Sequence, residues 1–242
     1  MAELEVAKAA KKIVNTAKSK EHGIWEKVKE MGIEIAIIVF AVTLSIAFHS
    51  WSESRHEQHE VKTFLNGLRQ DLKKDIQGMK SDIVSYQNQK KAFSYFAAIP
   101  KGEEANEDSL QAYSSHFFNS TALRRNTGRY EGFKSSGKIG YIENDSLENN
   151  ILDLYEEHIP IITTLTDFYT IQKVKFGEYI TENTVDYPKG NITQVLAAEP
   201  IKNRSRIHLV SVDHIINKYQ KSILLMEKII QQIDKEVPHH KH

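Results

Sequence analysis

The side chains able to do chemistry in this sequence are few, and their spacing limits what each can attempt. Ser135-Ser136-Gly137-Lys138 puts a serine three residues ahead of a lysine, the arrangement in which a lysine activates a serine nucleophile. No K-T-G accompanies it, and the pair runs into a glycine stop, so the acyl-transfer reading lacks its second half. His56 and His59 stand at i and i+3 with Glu60 beside them, which sets two imidazoles on one helix face. Two ligands do not make a metal site, and exposed histidines at the base of a stalk are the simpler account. The histidines of the terminal run 238–242 read as a solvated tail. The chain has no cysteine, which excludes disulfides, thiolate ligands and cysteine nucleophiles. It also has no phosphate-binding glycine loop, no H-E-x-x-H and no spaced carboxylate cluster. The expectation is a protein that is not an enzyme and holds no cofactor or metal.

What must carry these residues is dominated by one stretch. Ile35 to Ser52 contains no charged side chain, and its 18 residues make a helix of about 27 Å against a hydrocarbon core of about 30 Å. This predicts a membrane span over 32–52. Before it, Val6, Ala10, Ile13, Val14 and Ala17 recur at helical spacing opposite Lys8, Lys11, Lys12 and Lys18, so 1–31 reads as an amphipathic cytoplasmic segment. Seven lysines precede the span and five basic residues follow it in a comparable window, which places the N-terminus inside. Trp25 and Trp51 are expected at the two interfaces, with Glu34 at the inner edge where its carboxylate reaches the headgroups. Ser45-Ile46-Ala47 has the pattern of a signal-peptide cleavage site, but about 30 residues precede the apolar run, far more than an ordinary leader carries. The span is therefore read as retained.

The remaining sequence, 53–237, is read as an extracytoplasmic helical bundle. Val61, Leu65, Leu68, Leu72, Ile76, Met79, Ile83 and Tyr86 follow one another at threes and fours with no breaker after the span, so one helix is expected to continue to about Ala98. A helix is expected over Asp108–Ala122, and a one- to two-turn helix carrying Tyr130 and Phe133 that stops at Gly137. Asn144-Asp145-Ser146 caps a long helix whose stripe runs through Leu147, Ile151, Leu154, His158, Ile161, Leu165 and Phe168, with a kink from Pro160 near 155–158. Asn191 to Ser205 reads as a loop. The last helix shows Val212, Ile216, Tyr219, Ile223, Met226, Ile230 and Ile233, and Pro238 ends it. Stripes of this kind must bury one another, so the fold class is all-α: a single transmembrane helix continuing into an elongated bundle whose first and last helices pack antiparallel. Tyr113, Phe117, Tyr130 and Phe133 are expected to gather at its far end as a candidate ligand or partner head.

Three groups of residues carry a family resemblance. They are Gly32-Ile33-Glu34 before the span, Trp51-Ser52-Glu53-Ser54-Arg55 with Leu65 and Asp71-Leu72-Lys73-Lys74-Asp75-Ile76 after it, and Tyr130 to Glu156 with Phe133-Lys134-Ser135-Ser136-Gly137. In these the chain resembles an uncharacterised bacterial family of small single-span membrane proteins. The resemblance implies a membrane anchor and an envelope location, and no assigned activity comes with it. With 32 basic and 32 acidic residues the chain has no charge bias toward nucleic acid. The reading is a non-enzymatic scaffold or accessory subunit of a cell-envelope complex in the bacterial cytoplasmic membrane. Its partners would be the lipid bilayer and other membrane or envelope proteins, or further copies of itself. The alternative is a periplasmic ligand sensor working through a separate membrane partner.

Overall fold

The computed structural model describes the backbone of residues 2–237 apart from Ser120 and Pro188, with side chains from residue 25 onward except at 26, 27 and 30. The amphipathic face read over Val6 to Ala17, Pro238 and the histidine tail lie outside the residues whose side chains are described. The elements are α1 (Ala2–Ala98), α2 (Glu107–Tyr113), α3 (Ser115–Phe118), α4 (Gly128–Ser135), a 3-10 turn (Ile139–Tyr141), α5 (Asp145–Leu152), a π turn (Asp153–His158), α6 (Ile159–Asn183), α7 (Ile192–Ala197) and α8 (Glu199–Glu236). Among the described residues there is no strand, and the all-α class stands. Contacts divide the chain into two units, Met1–Glu57 and Gln58–His242.

In the first unit every described side chain from Met31 to His56 is exposed, including Ile35, Ile38, Phe40, Ile46 and Phe48. A core helix of a water-soluble protein would hide such residues, and none of this apolar window is covered by protein. The helix is long and apolar enough to cross a bilayer, which makes it a candidate membrane span.

The second unit is organised by α1 from residue 58, by α6 and by α8. Arg69 bonds Asp234, Lys80 bonds Glu227 and Lys90 bonds Asp213, so α1 and α8 run antiparallel as the stripes predict. Tyr86 meets Tyr169 and Phe93 meets Phe176, so α6 runs parallel to α1. Leu65, Leu68, Leu72, Met79 and Tyr86 are buried as expected, and so are Val212, Tyr219, Met226 and Ile233. On α8, Ile215 and Ile229 go to the core while Ile216 and Ile230 are half-buried, because a 3.6-residue helix drifts from a strict heptad over 38 residues.

Three expectations are corrected. The helix read over Asp108–Ala122 is two short ones, ending at Phe118, and the chain from Thr121 to Thr127 is irregular. There Tyr86 Oη donates to the Thr121 carbonyl at 2.7 Å, a bond an uninterrupted helix would compete for. The loop read over Asn191–Ser205 contains α7 and the start of α8, because Pro200 sits in the first turn of α8, where its missing N–H has no helical acceptor in any case. Near Pro160 the helix is interrupted over 153–158, where the kink was expected, but the stripe does not resume in register. The helix widens into the π turn, and one extra residue shifts which side chains face the core after it. The buried face becomes Ile159, Ile162, Thr166, Tyr169, Lys173, Phe176 and Ile180, and Phe168, read as core, faces out.

Candidate functional site

The span residues come first because they decide where the bundle can work. Trp25, Glu34 and Trp51 are all exposed on α1, and the Arg55 guanidinium lies 4.8 Å over the Trp51 ring. An amphipathic indole carrying a cation on its face suits the headgroup level of a bilayer.

The four aromatic residues read as one head fall into two groups. Tyr113 packs on Tyr95 and Phe96, and Phe117 on Phe96 and Phe176. Phe133 instead stacks on Phe64 at 3.9 Å, and Tyr130 on Tyr155 at 4.3 Å. Phe64 and Phe96 are roughly 48 Å apart along α1 at 1.5 Å per residue. The single head is therefore corrected to two sites. The correction follows from the irregular stretch after Phe118, which returns the chain along α1 before α4 begins. Beside Phe117 is a cavity of 570 Å³ with Leu110, Phe117 and Ile192 on its apolar side and Glu107, Gln111 and Lys189 among its polar groups.

The α1–α4 junction joins two of the three groups that carry the family resemblance. Arg129 bonds Asp71 at 2.7 Å and lies flat across Gly67, where a Cβ would meet its guanidinium at 2.2 Å. Glu156 accepts from Tyr130 and Lys134, each at 2.6 Å, and Lys138 bonds Glu60 at 2.7 Å. The serine–lysine pair is thus separately engaged, since Ser135 Oγ donates to the Gly132 carbonyl and Lys138 Nζ to Glu60. Glu60, read beside His56 and His59, is likewise committed to Lys138, and no metal-ligand group of three occurs among the described residues.

Asp75 is buried next to this junction and accepts from Asn126 Nδ2 at 2.5 Å. Burial pushes its carboxyl up to about 6, with the Asn126 bonds opposing and the Asp71 charge adding to the rise. A carboxyl raised in the folded state binds more protons there than in the unfolded chain between about pH 4 and 6, so its stabilising contribution is lost as pH rises through 6. Asp75→Asn keeps the acceptor for Asn126 and removes the charge. It is expected to raise stability at pH 7.5 by on the order of 2 kcal/mol and to change little at pH 4, as read by thermal unfolding at both pH values.

Near the Phe117 group the core holds a polar layer. Lys173 Nζ donates to Gln89 Oε1 at 3.1 Å, to the His116 carbonyl at 2.7 Å and to the Asn119 carbonyl, which uses all three ammonium protons. Burial holds this amine down to about 8. Gln89 Oε1 also accepts from Tyr169 Oη at 2.7 Å, and Gln89 Nε2 donates to Thr121 Oγ1 at 3.1 Å. His208 stacks on Phe93 at 4.4 Å, and burial with the nearby Lys173 and Arg204 charges pushes its imidazole down to about 3. A second imidazole, His158, sits 3.0 Å through Nδ1 from Ser222 Oγ, but Ser222 is fully buried and out of reach of a substrate.

The feature that sequence reasoning missed lies on α6 and α8. Phe168, Ile171 and Val174 of α6 and Ile207 and Val210 of α8 are each about half exposed. Arg204 bonds the Lys175 carbonyl, so the two helices are neighbours along this face. Leu165, Phe168, Ile207 and Val210 line a groove of 460 Å³ between them, with Arg206 and His214 at its rim. The apolar run at 168, 171 and 174 was present in the sequence, but assigning Phe168 to the core concealed it.

Fold and residues together define an all-α protein with one candidate membrane span and a helical bundle. The chain belongs to a family of unknown function, DUF6090, whose model matches residues 34–175. That match takes in the span, the α1–α4 junction and most of α6. No curated protein and no solved structure matches the chain.

Proposed function

We propose that this chain is a non-enzymatic, single-span scaffold or accessory subunit of a bacterial cell-envelope complex. In this reading residues 1–31 lie in the cytoplasm, 32–52 cross the cytoplasmic membrane and 53–237 stand in the periplasm. The observation that carries it is the α6–α8 face, where five large apolar side chains of two neighbouring helices lie half exposed. A contiguous patch of this kind on a folded domain marks an interaction surface. Further support comes from the side chains that could do chemistry: Ser135, Lys138 and Glu60 have internal partners, and Ser222 is sealed. A second reading, a ligand sensor, draws on the cavity beside Phe117, where Leu110, Phe117 and Ile192 face the polar groups of Glu107, Gln111, Ser114, Lys189 and Thr193, a lining that suits a small amphipathic molecule.

The missing cysteines allow one experiment to test both placement and partnership. Single cysteines replacing Asn15, Gln70 and Ile171 are introduced into the full chain in cells. A membrane-impermeant maleimide is expected to label position 70 and not position 15. Labelling of position 15 alone would overturn the topology. Cross-linking from position 171 is expected to trap a protein, and failure to trap any would overturn the interaction-surface reading.

A further inference from the structure

A groove lies where the irregular stretch from Thr121 to Thr127 runs along α1. It measures 740 Å³, within the range of about 300–1,000 Å³ that small-molecule sites occupy, and in it Lys74, Gly78, Ser81 and Asp82 of α1 face Leu123 and Arg124. The four α1 residues fall at i, i+4, i+7 and i+8, which puts them on one side of the helix. The stretch is fastened at both ends, because Tyr86 Oη and Gln89 Nε2 donate to Thr121 and Asn126 Nδ2 donates to Asp75. Between these ties the main chain of Ala122 to Arg125 makes no hydrogen bond among the described residues. One wall of the groove therefore carries open peptide donors and acceptors.

The charges on the two walls are opposite and unmatched. Asp82 is half-buried, and Tyr219 Oη reaches it at 3.4 Å, longer than the usual O–H···O bond of about 2.5–3.0 Å. Burial pushes the Asp82 carboxyl up, and the Tyr219 bond and the Arg124 charge oppose the rise. Arg124 is thus near enough to act on Asp82, yet no ion pair joins the two among the described residues. A guanidinium fork is suited to a carboxylate, and Asp82 has acceptor positions left for an ammonium. A simple anion in the groove would set its charge against Asp82, and a simple cation would set its charge against Arg124. A molecule carrying both charges a few bonds apart satisfies both walls. Gly78 supplies the room. A Cβ at Gly67 would meet the Arg129 guanidinium and one at Gly177 the Phe118 ring, so packing explains those glycines. At Gly78 a Cβ would meet nothing within 4 Å, although glycine inside a helix weakens it relative to alanine. Packing gives no reason for this glycine, whereas an occupant lying against bare helix does.

We infer that this groove binds a free α-amino acid as its zwitterion, with the carboxylate on Arg124, the ammonium on Asp82 and the side chain over Gly78 toward Lys74. The Ser81 hydroxyl and the open carbonyls of the stretch are the acceptors at hand for the other ammonium protons. Asp75, which also lines the groove, is engaged by Asn126. The site is separate from the α6–α8 face and from the cavity beside Phe117, so its test does not bear on either.

The test uses the full chain purified in detergent micelles and titrated calorimetrically with each of the standard L-amino acids by itself. At least one is expected to bind at or below about 10 mM. Its methyl ester, which lacks the carboxylate charge, and its N-acetyl form, which lacks the ammonium, are each expected to bind at least about tenfold more weakly, since each loses a charge-assisted hydrogen bond. Arg124→Gln is expected to remove the advantage of the free acid over the ester and to keep its advantage over the N-acetyl form. Asp82→Asn is expected to do the reverse. Gly78→Trp, which fills the groove from a position with open space, is expected to abolish binding with helicity unchanged by circular dichroism. If that variant loses helicity, the crossed pattern of Arg124→Gln and Asp82→Asn decides by itself. Binding by none of the amino acids would overturn the inference. So would an ester and an N-acetyl form that bind as well as the parent, or an Arg124→Gln chain that weakens acid and ester equally, which is what a merely structural role would give.

Discussion

Gln89→Leu is expected to lower the stability of the bundle by about 3 kcal/mol, although leucine is close to glutamine in volume and prefers a helix. Gln89 is buried and serves three partners from two other parts of the chain: Lys173 and Tyr169 of α6 donate to its Oε1, and its Nε2 donates to Thr121 of the irregular stretch. Leucine would leave the Tyr169 hydroxyl and one ammonium proton of Lys173 with no acceptor in a region water does not reach. Each stranded group costs about 1–3 kcal/mol, and more when it is charged. The gain from burying an apolar side chain at a site already surrounded by polar atoms does not offset this. At about 2–4 °C per kcal/mol for a domain of this size, the melting temperature is expected to fall by roughly 6–12 °C. Gln89→Glu keeps the Oε1 acceptor, adds a carboxylate beside Lys173 and loses only the bond to Thr121, so it should lose much less. Thermal unfolding of the two variants in the same detergent checks the ordering. Equal losses would mean that the Thr121 bond, and not the Lys173–Tyr169 pair, holds the layer together.

Much of the architecture was legible because apolar stripes report directly on what a helix buries. The stripe from Val61 to Tyr86 gave α1 its buried face, and the stripe from Val212 to Ile233 gave α8 its antiparallel position. The span was legible for the opposite reason, since its apolar residues show no face at all and remain uncovered. Less could be read where polar residues take core positions. After Leu154 two stripes compete: His158, Ile161, Leu165 and Phe168 continue an unbroken α-helix, whereas Ile159, Ile162, Thr166, Tyr169 and Lys173 need a step of five residues. The first is more apolar and therefore more persuasive. The second is the one buried, because Tyr169 and Lys173 find partners in Gln89 and in backbone carbonyls that no local pattern predicts. The candidate site suffered from the same ambiguity, since the face containing Phe168, Ile171 and Val174 appears only once the second stripe is chosen. Residues 121–127 were hidden for a related reason. The stretch is irregular, and polar bonds from Tyr86, Gln89 and Asp75 fasten it.

Deleting Glu157 is expected to leave the bundle folded, with a stability change within about 2 kcal/mol, because its side chain is exposed and the π turn holds one residue more than an α-turn. The deletion removes one residue from the π turn and lets the chain run as a continuous α-helix from Asp145 to Asn183. Backbone hydrogen bonding alone would favour that, because α geometry is the commoner and better formed. The step from Leu154 to Ile159 then falls from five residues to four, the spacing at which an α-helix keeps both on one face. Leu147, Ile151 and Leu154 stay on the core side together with Ile159, Ile162, Tyr169 and Phe176, and Asn144 and Asn150 keep Glu236 and Gln232 of α8. Pro160→Ala separates the two possible causes of the turn. If the missing N–H of the proline made the π geometry, restoring it would permit α-helix at the full residue count and turn one of the two stripes out of the core, a large loss. If instead the turn exists because two stripes a step of five apart must both face the core, alanine changes little, within about 1 kcal/mol, since Pro160 is exposed and sits in the first turn of α6. The second outcome is expected, with urea unfolding of both variants as the measurement.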